Sequence, residues 1–186
     1  FQMGEQTNDI AQELARLQEL PGAEFARQVE RIARRAEFRP IEGETDIYLA
    51  DSSHGEDFDN LINAARKAVG HGYRVFILPN PKGIRTADFI LERKGKYRLY
   101  DLKTIHGKSS ARNRLIESIG QSNHVLLNMI SDYNARLLAK DIIAYFNANP
   151  QGVEVMIFKK GKLMSVTRKS VEGATFVKSF IQSYYR

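Results

Sequence analysis

The stretch TADFILERKGKYRLYDLKT, residues 86–104, decides the fold class of this chain. It contains two strand-like runs, ADFIL and YRLYDLKT, joined by a turn built on ERKGK. Each run carries one aspartate among apolar residues, Asp88 and Asp101, and Lys103 follows two places later. Strands with a buried face avoid such residues, because an unpaired buried ion is very costly. The three charges therefore require an explanation other than packing.

The pattern on either side of this hairpin alternates between helix and strand. The predicted elements are a helix over 56–72, a strand over 73–79, a helix over 107–121 capped by Ser109 or Ser110, a strand over 124–130, a helix over 134–149, a hairpin over 152–168 turning at Lys160-Gly161, and a helix over about 172–184. The residues predicted to face inward are Phe58, Leu61, Ile62, Ala65 and Val69 in the first helix, and Leu115, Ile116 and Ile119 in the second. This order predicts an α/β fold with a mixed central sheet flanked by helices.

The first 50 residues have a different character. Residues 8–38 show two apolar helical stripes broken at PGAE, and residues 40–54 are rich in turn formers and acids. We therefore expect a helical extension or linker over 1–50 and an α/β domain over 51–186. A start at Phe1 suggests a piece of a longer protein.

Composition limits the function classes. The 186 residues are 42% hydrophobic, which is enough for a real core, and the formal net charge is +6. A basic balance favours a polyanionic partner, nucleic acid first. The absence of cysteine excludes a disulfide scaffold, thiolate metal sites and cysteine catalysis. No apolar run approaches the roughly 18 residues that span a bilayer.

The spacing of the charges predicts a metal site. Residues i and i+2 of a strand share a face, so Asp101 and Lys103 project together, and a hairpin brings Asp88 beside Asp101. Two adjacent carboxylates repel unless a cation lies between them, and Mg²⁺ is held by one or two carboxylates with water and substrate phosphate. The alternatives are a turn-capping role for Asp88 and an exposed edge-strand pair for Asp101 and Lys103.

This arrangement resembles the PD-(D/E)XK nuclease superfamily, with Asp88 on one strand and Asp101-Leu102-Lys103 on the next. Ala87 stands where the proline of the family motif would be. The resemblance implies a restriction-endonuclease-like fold, an acid from the preceding helix, and a glutamine near the metal. The matching positions are Glu56 first, Asp59 second, and Gln121 at the end of the helix after the triplet.

The order of elements over residues 54–168 also resembles the C-terminal nuclease domains of contact-dependent inhibition toxins and related polymorphic toxins. That resemblance implies cleavage of tRNA or DNA with a divalent metal ion, for which we expect Mg²⁺, with Mn²⁺ or Zn²⁺ as alternatives. It also implies an immunity protein as partner, and action in the cytoplasm of a bacterial cell as part of a larger delivered protein.

Polar and basic residues after the triplet are the predicted contacts to substrate. They are Thr104, His106, Lys108, Ser109, Arg112 and Arg114. Three other functions remain open on the sequence alone. They are a nucleic-acid-binding module without catalysis, a metal-independent RNase that uses His106, Lys103 and Arg112, and an interaction protein that uses the N-terminal helices.

Overall fold

The computed structural model describes residues 3–17, 22–50, 54–81 and 83–186. The helices in these ranges are α1 (Met3–Leu17), α2 (Gly22–Ala33), α3 (Phe58–Gly70), α4 (Ala111–Glu117), α5 (Ala135–Ala148), α6 (Arg168–Val171) and α7 (Phe176–Tyr185). The strands are β1 (Arg39–Pro40), β2 (Ile47–Leu49), β3 (Arg74–Ile77), β4 (Phe89–Arg93), β5 (Lys96–Ile105), β6 (His124–Met129), β7 (Glu154–Lys159) and β8 (Lys162–Thr167). Their order in the mixed sheet is their order along the chain. The α/β prediction is confirmed.

Contacts divide the chain into two units, residues 1–102 and residues 103–186, and β5 is the strand that crosses the boundary. In the first unit, β2 and β3 are parallel, whereas the pairs β1–β2, β3–β4 and β4–β5 are antiparallel. One apolar cluster joins residues of α1 and α2, such as Ile10 and Ile32, to strand residues such as Ile90 and Leu99. The N-terminal helices are therefore packed on the sheet of this unit.

Strand β1 begins at Arg39, just before the segment of turn formers and acids at 40–54, and β2 lies inside that segment, for which the sequence predicted no strand. They have two and three residues, so neither is long enough to show an alternation of apolar and polar residues. β2 pairs with β3, which lies about 25 residues further along the chain, and no short sequence pattern indicates such a pairing.

Both predicted hairpins are confirmed, and the turn chemistry explains why. Lys94 and Gly95 join β4 to β5 with φ angles of 55° and 79°, and Lys160 and Gly161 join β7 to β8 with φ angles of 47° and 78°. Positive φ at both central residues is the type I′ turn, whose twist matches that of paired strands. Glycine occupies the second position of each turn at no steric cost.

The second unit has its own core. Strands β6 and β7 are parallel, and β7 and β8 are antiparallel. Buried residues of these strands pack with α4, α5 and α7, as Leu127, Leu115, Ile142 and Phe180 illustrate. None of the described helices is both long enough and apolar enough to cross a bilayer.

Several helices differ from their predicted extents, and α7 begins at Phe176, about four residues later than predicted. Helix α3 begins at Phe58 after a 3₁₀ turn, and its buried face is Leu61, Ile62, Ala64, Ala65 and Ala68 rather than one that includes Phe58 and Val69. Helix α4 ends at Glu117, four residues earlier than predicted. Its Ile116, predicted to face inward, is 40% exposed.

Candidate active site

Asp88 lies one residue before β4 and is tied to β5 by its side chain. Its carboxylate oxygen Oδ2 accepts a hydrogen bond of 2.7 Å from the Leu102 backbone N–H, and its own N–H donates to the Tyr100 carbonyl at 3.0 Å. One peptide unit separates the Leu102 nitrogen from the Asp101 Cα, so the Asp88 oxygen lies within about 5 Å of that Cα. The hairpin therefore brings Asp88 beside Asp101, as its sequence predicts.

Asp101 and Lys103 occupy the interior of β5. Asp101 is 1% exposed and Lys103 is 8% exposed, so the alternative of an exposed edge-strand pair is wrong. Alternation along the strand places both residues on one face and Thr104 on the other. Burial of a charged carboxylate costs folding free energy unless partners compensate it, so the Asp101 carboxylate needs such partners within the fold.

In the described part of the chain, the acidic residues at the start of α3 do not form a three-ligand metal site with Asp88 and Asp101. Asp59 is an exposed residue in the first turn of α3, where its charge helps raise the pKa of Arg66, after the larger effects of Glu44. Among described side chains, no three His, Asp or Glu residues are grouped as they would be around a metal ion. The side chain of Glu56 lies outside the described residues, so its assignment stays a prediction.

The donor set of Asp88 and Asp101 matches one metal class. Mg²⁺ needs only one or two protein carboxylates, because water and substrate phosphate supply its remaining oxygen ligands. Zinc sites usually contain three or four protein ligands, mostly histidine and cysteine. Two carboxylates on adjacent segments therefore fit Mg²⁺ and, by the same oxygen chemistry, Mn²⁺.

The loop after β5 holds three of the predicted substrate contacts in the second unit. His106 and Lys108 are exposed. The Ser109 hydroxyl accepts a hydrogen bond of 3.2 Å from the His106 N–H, and the Ser109 N–H donates to the His106 carbonyl at 2.7 Å. Ser110, not Ser109, caps α4 by accepting from the Asn113 N–H at 3.3 Å. Ser109 thus shapes the loop that presents His106 and Lys108.

The two arginines of α4 have carboxylate partners. Arg114 pairs with Glu117 at 3.2 Å on the surface. Arg112 pairs at 3.2 Å with Asp141, whose side chain is 3% exposed. Tyr133 donates to the other oxygen of Asp141 at 2.9 Å. Arg112 therefore neutralises a buried carboxylate, a role that its position in the sequence did not indicate.

The sequence held one signal for this network. Asp141 is the only acid in the helical stretch ARLLAKDIIAYFNA, and it lies on the apolar face beside Leu138 and Ile142. Burial, with help from Asp141, raises the pKa of the Tyr133 phenol despite the N–H that it accepts from Ala111. A buried acid of this kind indicates partners elsewhere in the unit.

Gln121 lies beyond the end of α4 rather than in its last turn. Its N–H donates to the Ser118 carbonyl at 3.0 Å, within a turn that continues through Gly120 at φ 91°. Glycine at positive φ is a common helix stop and explains the early end of α4. The role predicted for the Gln121 side chain stays a prediction.

Comparisons with known proteins give one distant likeness. No family model matches the chain, and no curated protein matches it. Among solved structures, the chain is similar to one in the CdiA-CT/CdiI toxin and immunity complex from Burkholderia pseudomallei, with 18% sequence identity and a TM-score of 0.44. The match covers 69% of this chain and 94% of the other. At this identity and TM-score, neither the activity nor the partner of that protein carries over.

Proposed function

We propose that this chain is a metal-dependent nuclease that hydrolyses phosphodiester bonds in tRNA or DNA. The observation that carries the proposal is the hydrogen bond between the Asp88 carboxylate and the Leu102 N–H, which places the Asp88 carboxylate within about 5 Å of the Asp101 Cα. Asp101 follows Asp88 across the hairpin, and Lys103 is two residues further along the same strand. Two carboxylates can hold a hard cation at a phosphate, and a lysine on the same strand can orient the water or stabilise the charge on the phosphate.

The chain's own residues have separable roles in this reaction. Asp88 and Asp101 would hold Mg²⁺ through their carboxylate oxygens, and Glu56 or Asp59 is the proposed helper. When bound, the ion supplies positive charge that stabilises the phosphate oxygens as negative charge develops on them. Lys103 positions the attacking water or stabilises the charged phosphate, and Gln121 orients the water or a ligand.

Substrate contacts are proposed for the loop after β5 and the start of α4. Lys108 and His106 are exposed and can reach a phosphate, with Ser109, Arg112 and Arg114 as further contacts. Thr104 is a further proposed contact, within β5 and on the face opposite Asp101 and Lys103. Arg112 and Arg114 would have to give up or share their carboxylate partners, so their contributions are expected to be smaller than that of Lys108.

The biological setting follows from the sequence resemblance. We propose a toxin domain that belongs to a larger delivered protein, acts in the cytoplasm of a bacterial cell, and is blocked by an immunity protein. The net charge of +6 is consistent with a nucleic-acid substrate and with an acidic inhibitor.

A cleavage assay tests the proposal. The purified chain is incubated with total tRNA and with plasmid DNA, in Mg²⁺, Mn²⁺, Zn²⁺ or EDTA, beside Asp101→Asn and Lys103→Ala. Asp132→Asn is the matched control, because that side chain is 92% exposed and contacts Lys160 at 3.5 Å on the surface. We expect metal-dependent cleavage by the wild type and the control, and at least a hundredfold less by the other two variants.

The outcomes separate the alternatives. Cleavage that persists in EDTA, and that Asp101→Asn leaves intact, would replace the proposal with a metal-independent RNase. Binding of tRNA without cleavage in any metal, by a folded wild type, would indicate a nucleic-acid-binding module instead. Calorimetric titration with Mg²⁺ gives a second readout, in which Asp101→Asn should lose the binding heat.

A further inference from the structure

A groove at the turn end of the β4–β5 hairpin carries four positive side chains. Its volume is about 180 Å³, and Tyr73, Leu91 and Tyr100 line it together with these cations. We call the cations the hairpin patch; they are Arg93, Lys94, Lys96 and Arg98, and all four are exposed. All of these residues belong to the first unit.

The hairpin patch is not neutralised by nearby acids. Within the described residues, none of its four side chains takes part in an ion pair. Glu92, the acid of the hairpin, lies on the other face, opposite Tyr97, where it pairs with Arg74 and accepts from the Gly95 N–H at 3.0 Å. The groove therefore presents four positive charges with no compensating carboxylate.

Another arginine-rich groove of the same unit shows the contrast. It has a volume of about 430 Å³ and is lined by aromatic residues and three arginines. Each of these arginines has a carboxylate partner; the pairs are Arg34 with Glu30, Arg35 with Glu13 and Glu37, and Arg74 with Glu92. An anion in that groove would have to compete with the carboxylates that already pair with its arginines, so the hairpin patch is the stronger anion site.

The arrangement of the hairpin patch is costly for the fold. Arg93 and Lys96 are directly opposite in the register, and like charges in that position destabilise a hairpin. Arg93 is also fixed in place, because its guanidinium lies 4.4 Å from the centre of the Tyr73 ring and donates to the His71 carbonyl at 3.2 Å. Arg93 is therefore held in place beside other positive charges, and a bound anion would relieve the repulsion between them.

We propose that the hairpin patch binds the phosphodiester backbone of a nucleic acid. A groove of about 180 Å³ is below the range that encloses whole small molecules, but it can admit one phosphate group of a larger chain. The register places Leu91 opposite Arg98 and Arg93 opposite Lys96, so the charges follow the hairpin as a row. Repeated phosphates match such a row better than a single anion does.

The hairpin patch is separate from the cleavage site. Strand alternation puts Lys96, Arg98 and Tyr100 on one face of β5 and Asp101 on the other, and Lys96 and Arg98 are five and three positions from Asp101, about 17 Å and 10 Å along the strand. The patch therefore contributes affinity for a long substrate and takes no part in bond cleavage. This inference deepens the proposed nuclease function and rests on it for the identity of the ligand.

Salt-dependent binding tests the inference independently of cleavage. Lys94→Asn, Lys96→Gln and Arg98→Gln are combined in one variant, in which Arg93 is kept because it packs on Tyr73. Asn at position 94 precedes Gly95 and suits the type I′ turn. The control combines Lys140→Gln, Lys169→Gln and Lys178→Gln, three exposed lysines of the second unit, so that both variants lose three charges.

Binding to a 30-base-pair DNA duplex and to total tRNA is measured in EDTA between 50 and 200 mM salt. Each phosphate contact contributes about 0.9 to the slope of log K against log salt on duplex DNA, so three contacts contribute about 2.7. Over this fourfold range, the affinity of the patch variant should therefore fall about 40-fold less than that of the wild type. The control should keep the wild-type slope.

Each other result overturns the inference. An unchanged slope in the patch variant would mean that these cations do not touch the backbone. An equal change in the control would mean that only total charge matters. If the patch variant loses binding to poly-L-glutamate as strongly as to nucleic acid, an acidic protein becomes the better ligand. Failure of the nuclease proposal would appear instead as absent cleavage with the salt dependence intact.

Discussion

Replacement of Asp88 by asparagine or by alanine separates the two roles that the structure and the proposed chemistry give this side chain. The carboxylate accepts the Leu102 N–H at 2.7 Å in a half-buried position and is also a proposed metal ligand. An asparagine keeps an oxygen that can accept the N–H but loses the negative charge. An alanine loses both.

The expected magnitudes follow from the hydrogen bond. Asp88→Ala leaves the Leu102 N–H without this acceptor, which costs about 1–3 kcal/mol of unfolding free energy. For a chain of this size, that lowers the melting temperature by about 2–12 °C. Asp88→Asn should cost less than about 1 kcal/mol, because one neutral acceptor replaces a charged one. Both variants should lose metal-dependent cleavage.

Urea denaturation and the cleavage assay are run on the same preparations. Asp132→Ala, which removes an exposed acid, is the control for stability and should stay within about 0.5 kcal/mol of the wild type. If Asp88→Ala is as stable as Asp88→Asn, the hydrogen bond contributes nothing and the structural reasoning is refuted. If Asp88→Asn cleaves as well as the wild type does, Asp88 is not a metal ligand.

Two further predictions concern tyrosines of the second unit, the partly buried Tyr133 and the buried Tyr184. Tyr133→Phe removes the hydroxyl that donates to the buried Asp141, so it should lower the unfolding free energy by about 2–4 kcal/mol in urea titrations. The control is Tyr185→Phe, at a residue that is 63% exposed, which should change the unfolding free energy by less than about 0.5 kcal/mol. Tyr184→Phe should raise it by about 1 kcal/mol at pH 7, because the buried hydroxyl of Tyr184 has no hydrogen-bond partner among the described residues. Burial raises the pKa of Tyr184 to about 12 from a usual value of 10, so the stability linked to its proton is present below pH 10 and is lost as the pH rises through 12. The advantage of Tyr184→Phe should therefore be larger at pH 11 than at pH 7, and an equal advantage at both would contradict the assignment.

Local chemistry made the hairpins and strands predictable. Lys94-Gly95 and Lys160-Gly161 are short turn signals between apolar runs, and both produced the expected antiparallel pairs. The position of Asp88 beside Asp101 followed from the β4–β5 hairpin, because a two-residue turn fixes the register of the strands that it joins.

The rest depends on contacts that no short stretch encodes. The partner of Arg112 lies 29 residues away on another helix, so its place in α4 suggested a phosphate contact where the structure has an ion pair. Helix α4 stops at Glu117 because the Ser118 hydroxyl and Gly120 compete with its continuation, whereas the apolar spacing alone extends to Ile119. The neutrality of one arginine-rich groove and the unpaired charge of the other likewise depend on which acids the fold brings near.

The Asp88–Leu102 hydrogen bond has a consequence for how copies of this domain would decay. Position 88 serves the backbone of β5 as well as the proposed chemistry. In lineages that lose activity but keep the fold, drift at position 88 should therefore favour asparagine or serine, which still offer an oxygen to the Leu102 N–H, over alanine. The residues found at position 88 in inactive relatives would thus show whether the need for a hydrogen-bond acceptor outlasts the need for a negative charge.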